Sequence, residues 1–186
     1  GVQSALTGHL VLSTLHTNTA AGAITRLEDM GVERYLITSS VNGVLAQRLV
    51  RTLCSHCKEK VDIDPGDAEA SGIAPFLEEG QRSIYQAVGC SECGNTGYAG
   101  RTSIHELFVL DDEMHREIMS GADATSLHAA ARRQGMNTLY EDGLRKVARG
   151  LTSMEEVLRV TQDQTETSEP LETSPEESMS AQPVSA

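Results

Sequence analysis

With 186 residues and 39% hydrophobic content, the chain holds material for one or two modest cores. Its net charge is −12, and the −6 that remains over residues 1–161 disfavours nonspecific nucleic-acid binding, which draws its affinity from Lys and Arg on phosphates. The absence of Trp and the presence of only two Phe leave little for a base-stacking track, and the first apolar stretch, Leu10 to Leu15, is far below the ~20 residues of a membrane helix.

In chain order, residues 9–14 read as a short buried strand. Asn18 or Thr19 then caps a helix whose apolar residues Ala20, Ala23, Ile24, Leu27 and Met30 recur at helical spacing, and Gly31 ends it. Residues 33–41 predict a second short helix. Residues 44–52 read as a strand, although their pattern also admits a helix. Alternation of strand and helix at the front argues for an α/β core, and the start at Gly1 beside a catalytic-looking segment leads to the expectation of a longer protein whose remaining strands lie upstream. Residues 54–93 are broken by Asp64-Pro65-Gly66 and Ala74-Pro75. Residues 83–88 and 102–110 predict strands. From Asp112 the pattern is helical, in four segments (112–119, 125–134, 138–149 and 152–160) separated by Gly121, Gly135 and Gly150. The last begins Thr152-Ser153-Met154-Glu155, a capping-box pattern. Residues 162–186 hold six acids, no Lys or Arg and almost no large apolar side chain, which predicts an acidic disordered tail.

All four cysteines fall in two C-x-x-C pairs, Cys54/Cys57 and Cys90/Cys93. Two such knuckles supply four thiolates, enough to close a tetrahedron around Zn²⁺. The 32 residues between the pairs exceed the usual ribbon spacing, so that stretch must fold as an excursion. A four-thiolate shell leaves no open position, which makes the expected zinc structural and not catalytic. Disulfides, a redox dithiol or reduced bystanders are the alternatives, and the absence of secretory features counts against disulfides.

The segment Thr7-Gly8-His9-Leu10-Val11-Leu12-Ser13-Thr14-Leu15-His16-Thr17-Asn18 places hydroxyls and two imidazoles around a predicted strand that ends where a helix begins. Strand ends of this kind border ligand crevices in open α/β sheets, but a histidine taken alone more often makes only structural hydrogen bonds. The combination is more specific. This segment is followed by Val44-Leu45-Ala46-Gln47-Arg48-Leu49-Val50-Arg51-Thr52-Leu53-Cys54, by Gly97-Tyr98-Ala99-Gly100-Arg101 and by Gly150-Leu151-Thr152-Ser153-Met154-Glu155-Glu156-Val157. In this order the runs resemble the C-terminal part of the type II secretion and type IV pilus assembly ATPases, over residues 1–161. The Ala46-to-Cys54 run and the double C-x-x-C bring it nearer to the general secretion pathway protein E branch. Ser103 departs from the Gly common at that position.

The resemblance implies the C-terminal part of a RecA-like P-loop ATPase core with its histidine box (residues 1–53), a tetracysteine zinc subdomain (54–110), a helical C-terminal subdomain (111–161) and the tail (162–186). It further implies a homohexamer that hydrolyses ATP with Mg²⁺ at the cytoplasmic face of the inner membrane, works with inner-membrane secretion-platform proteins, and drives pseudopilus or pilus assembly. By the same resemblance His9 and His16 sense the nucleotide, with Thr14 and Thr17 assisting. Arg26, Arg48 and Arg51 stay outside the assigned site, because helix and edge-strand Arg residues usually form solvated ion pairs. No G-x-x-x-x-G-K-[ST] loop occurs in the sequence, so these residues alone are expected neither to bind nor to hydrolyse ATP. The competing expectations are a zinc-stabilised protein-binding adaptor without catalysis and, less in keeping with the charge, a P-loop protein acting on nucleic acid.

Overall fold

In a computed structural model, residues 1–162 are described. A short helix α1 (Val2–Leu6) precedes an irregular stretch, followed by α2 (Gly22–Asp29) and α3 (Arg34–Ser40). Strand β1 (Gly43–Leu53) comes next, then β2 (Glu59–Asp62), α4 (Pro65–Ala70) and β3 (Ser83–Gln86). The long strand β4 (Tyr98–Val109) leads into four helices, α5 (Asp112–Ser120), α6 (Ala124–Arg133), α7 (Leu139–Ala148) and α8 (Met154–Gln162). No helix among the described residues is long and apolar enough to cross a membrane. The predicted acidic tail lies outside the described residues beyond Gln162.

The central feature is the antiparallel pairing of β1 with β4, in register from Gly43 opposite Val109 to Arg51 opposite Arg101, with an irregularity before Leu53 meets Tyr98. The residues that admitted either strand or helix form β1, because β4 supplies its ladder of partners. Side chains alternate across the pleat. Val50, Ile104, Glu106 and Phe108 point inward and are buried, while Leu45, Leu49, Leu107 and Val109 remain exposed on the other face. Around Phe108 the inner face packs against Ile24, Ile37, Met114, Ile118 and Leu127, which come from α2, α3, α5 and α6. At its other end Val50 and Ile104 pack against Leu139 and Val160 of α7 and α8. A third apolar group joins Ala68 and Ile73 of the excursion to Leu144, Val147 and Val157. There α7 and α8 approach so closely that a Cβ on Gly143 would lie 2.5 Å from Val157.

Three local expectations need correction. Residues 9–14 form no strand: Leu10 and Leu12 are 84% and 89% exposed, and none of the described strands pairs with them. A buried-strand pattern becomes a strand only when a neighbour completes its hydrogen-bond ladder. The start of α8 is capped one residue later than Thr152 to Glu155 implies. Ser153 Oγ accepts the Glu156 N–H at 3.2 Å, and the Thr152 hydroxyl instead donates to the Arg51 carbonyl at 2.8 Å. At α2 the cap falls at Ala21, later than Asn18 or Thr19, and the Thr19 hydroxyl instead accepts the Gly22 N–H at 3.1 Å from the preceding turn.

Glu156 locks α8 onto β1. Its carboxylate has no exposed side-chain surface and accepts the Arg51 backbone N–H at 2.9 Å. It also receives two guanidinium bonds from Arg51, at 2.9 and 2.7 Å, and two from Arg159, at 3.0 and 2.7 Å. The Arg51 guanidinium lies 4.0 Å over the Tyr98 ring, whose hydroxyl meets Ser153 Oγ at 2.7 Å. Burial pushes the Glu156 carboxyl upward, but the bonds from Arg159 and Arg51 prevail and hold it at about 2. A folded value below the ordinary 4.5 means that the ionised group adds stability above about pH 4.5 and loses it as pH falls towards 2. Both arginines are about half exposed, so screening limits the contribution. Glu156→Gln is expected to lower unfolding free energy by roughly 2 kcal/mol at pH 7, with the gap to wild type narrowing below pH 4.5, as urea titrations at pH 7, 4 and 3 would measure.

Candidate metal centre and histidine segment

The β1–β4 ladder brings the two cysteine pairs together. Cys54 follows β1 directly, and its N–H donates to the Gly97 carbonyl at 2.9 Å, carrying the pairing one step beyond the strand. The first knuckle turns through the Lys58 N–H, which donates to the Cys54 carbonyl at 3.0 Å, and the second through the Asn95 N–H to the Cys90 carbonyl at 2.8 Å. Gly97 must be glycine here. Its φ is +77°, a Cβ would lie 2.6 Å from the Ala87 methyl, and its N–H donates to Cys93 Sγ at 3.2 Å.

The sulfur geometry tests the fit to a metal. Cys54 to Cys90 is 4.0 Å, Cys57 to Cys93 is 3.8 Å and Cys90 to Cys93 is 3.8 Å, and all four sulfurs lie within 4.8 Å of one another. A tetrahedron with Zn–S bonds of about 2.3 Å has edges of about 3.8 Å, so the four-thiol set fits a closed zinc site. The sulfurs are unbridged. Desolvation also opposes ionisation of Cys93, but the N–H groups of Cys90 and Gly97 donate to its sulfur and hold it down at about 6. Desolvation pushes the Cys57 thiol up to about 12, only partly offset by a backbone bond from Gly89. His56, between two of the cysteines, is exposed and outside the cluster.

The excursion between the pairs is fastened to the helices. Strands β2 and β3 form its hairpin. Lys58 donates from Nζ to the Gly150 carbonyl at 2.8 Å and stacks on Tyr85 at 4.5 Å, which secures the base of the excursion at the turn between α7 and α8.

The histidine segment is separate from this centre. His9 is exposed, with Nδ1 3.2 Å from both Thr7 Oγ1 and the Ser4 carbonyl, so its contacts are local. His16 and Thr14 are exposed, and Thr17 is half-buried. A concavity of ≈ 430 Å³ between β4, α6 and α7 is lined by His105, Gln134, Asp142 and Arg145, among others, and by none of these four residues. Of the three arginines set aside, Arg51 is committed to Glu156, Arg26 is exposed and Arg48 is half-buried on β1. Two buried carboxylates, Glu106 and Glu156, are prominent in the structure and were not singled out by sequence reasoning. For Glu106 a signal exists: Ile104, Glu106 and Phe108 share one parity in a strand, which places a charge among inward-facing residues.

Residues 1–159 match the family of type II/IV secretion system proteins. The type IV pilus assembly ATPase PilB of Thermus thermophilus is 53% identical over 156 residues, which are 84% of this chain and 17% of that protein. The type II secretion system protein HxcR of Pseudomonas aeruginosa is 52% identical over 162 residues, 87% of this chain and 30% of HxcR. The type II secretion system ATPase E of Vibrio cholerae is 50% identical over 164 residues, 87% of this chain and 31% of that protein. The chain therefore spans less than a third of the length of each of these relatives, and identity does not separate the pilus protein from the secretion proteins. The chain belongs to the type II/IV secretion system protein family.

Proposed function

We propose that these residues are the C-terminal part of a hexameric ATPase that hydrolyses ATP at the cytoplasmic face of the inner membrane to power pseudopilus assembly in type II secretion. The observation that carries the reading is the convergence of four sulfurs at zinc-like spacing in a chain of this family. Cys54, Cys57, Cys90 and Cys93 hold a structural zinc, which fixes both ends of the excursion against the end of the β1–β4 ladder. A closed shell of thiolates supplies no open coordination position, so the metal organises the fold and takes no part in hydrolysis.

The nucleotide is held elsewhere in the longer protein. Phosphate cradling needs a glycine-rich loop with its Lys, and Mg²⁺ needs carboxylates placed beside it. The part assigned to this chain is sensing. His9 and His16 extend from an exposed segment that is free to meet another part of the RecA-like core, with Thr14 and Thr17 as additional hydrogen-bonding groups. The partners are five further copies and the inner-membrane platform of the secretion machine. Assembly of a type IV pilus is the second reading, because PilB is as similar to this chain, at 53% identity, as the secretion proteins are.

Metal analysis of protein purified without chelator is expected to give about one zinc per chain, with thiols that react only after denaturation. Cys90→Ser should release the metal and open residues 58–89 to proteolysis before the helices α5 to α8. Freely titrating native thiols without zinc would refute the closed site. For the histidine segment, His16→Ala in the full-length protein is expected to lower kcat and kcat/KM together, by about 10- to 100-fold, with nucleotide affinity nearly unchanged. Steady-state ATPase rates of the folded hexamer alongside nucleotide titration would check this, and a normal kcat with a lowered Tm would make His16 a packing residue only.

A further inference from the structure

Glu106 is 3% exposed on the inner face of β4, where a carboxylate is costly unless something compensates for lost hydration. Its compensation is specific. Oε1 accepts the backbone N–H of Ala20 at 2.9 Å, across 86 positions of sequence. Ala20 and Ala21 are fully buried in the turn that opens α2, and the Gly22 N–H donates to Thr19 Oγ1. The amino end of α2 thus carries an anion supplied by the protein, placed where the helix dipole favours negative charge. The other carboxylate oxygen faces His128 Nε2 of α6 at 3.9 Å. Immediately before Ala20 the chain changes character, since His9, Leu10, Leu12, Thr14, His16 and Asn18 are all exposed. The Glu106 bond therefore holds the point at which the histidine segment leaves the packed body.

We infer that Glu106 is a positioning residue for His16: by gripping the Ala20 N–H, four residues downstream of the histidine, it sets where the imidazole stands relative to β4 and α6. This role rests on the sensing function proposed for His16.

The test uses the full-length protein with Glu106→Gln, Glu106→Asp and Glu106→Ala, each compared with His16→Ala and the double variant. Gln retains an acceptor at the same reach and is expected to keep kcat within about threefold of wild type, while Ala and Asp, which lose that reach, lower kcat about tenfold or more at nearly unchanged KM. The Ala20 amide should exchange faster in the Ala and Asp variants and stay protected in the Gln variant. In the double variant the loss should not exceed that of His16→Ala alone, because both changes remove one function. If Glu106→Ala does not fold, the Asp and Gln pair decides the matter. Wild-type kcat in the Asp variant, equal loss in Gln and Ala, or additive losses in the double variant would overturn the positioning role. A normal kcat for His16→Ala would overturn the sensing reading and this role with it, whereas a reduced one beside wild-type rates for Glu106→Ala would overturn the positioning role alone.

Discussion

The β1–β4 ladder is the constraint on which the other features depend. It brings Leu53 opposite Tyr98 at one end and Gly43 opposite Val109 at the other. Everything between residues 54 and 97 must therefore leave and return at the same place, which converts a sequence separation of 36 between Cys54 and Cys90 into a sulfur distance of 4.0 Å. Loop-closure entropy grows only slowly with length, so a long excursion is tolerated once its ends are paired. The proposed metal would add a second closure of the same loop, and the Lys58 bond to Gly150 ties that neck to the helices.

Two buried carboxylates fasten the rest of the chain to the ladder in the same manner. Glu156 reaches from α8 to the Arg51 N–H on β1, and Glu106 reaches from β4 to the Ala20 N–H at the start of α2. Each joins parts of the chain far apart in sequence through a backbone donor, which fixes position more tightly than a contact between two mobile side chains. Their compensation differs. Glu156 has two guanidiniums, whereas Glu106 has one amide and the end of a helix, with His128 at 3.9 Å. The guanidiniums hold Glu156 at about 2. The asymmetry suits a rigid clamp at α8 and a more adjustable one at α2.

Much of this architecture was legible in the sequence, because the signals were local. Gly121, Gly135 and Gly150 separate the four helices where expected, the helix predicted from Thr138 begins there, and the paired cysteines announced a four-sulfur cluster. The long-range carboxylate bonds were not legible, because no local pattern says which of 27 acidic residues meets a backbone amide 86 or 105 positions away. The misplaced cap at α8 has a similar cause. Thr152 and Ser153 are adjacent hydroxyls with equal local claims, and the Arg51 carbonyl on β1 took the first, leaving the second for the helix.

The histidine segment shows where pattern and structure part for a different reason. Leu10, Val11 and Leu12 read as the centre of a buried strand, and fully burying a Leu side chain stabilises by roughly 1.5 to 3 kcal/mol. Leu10 and Leu12 gain none of this here, being 84% and 89% exposed. The pattern specifies a conformation whose hydrogen-bond partners and covering side chains these residues do not themselves provide. A place at the seam of a larger RecA-like core, as proposed, accounts for both facts at once. In that proposal other parts of the core cover Leu10 and Leu12, while the Glu106 bond to the Ala20 N–H already ties the end of the segment to β4.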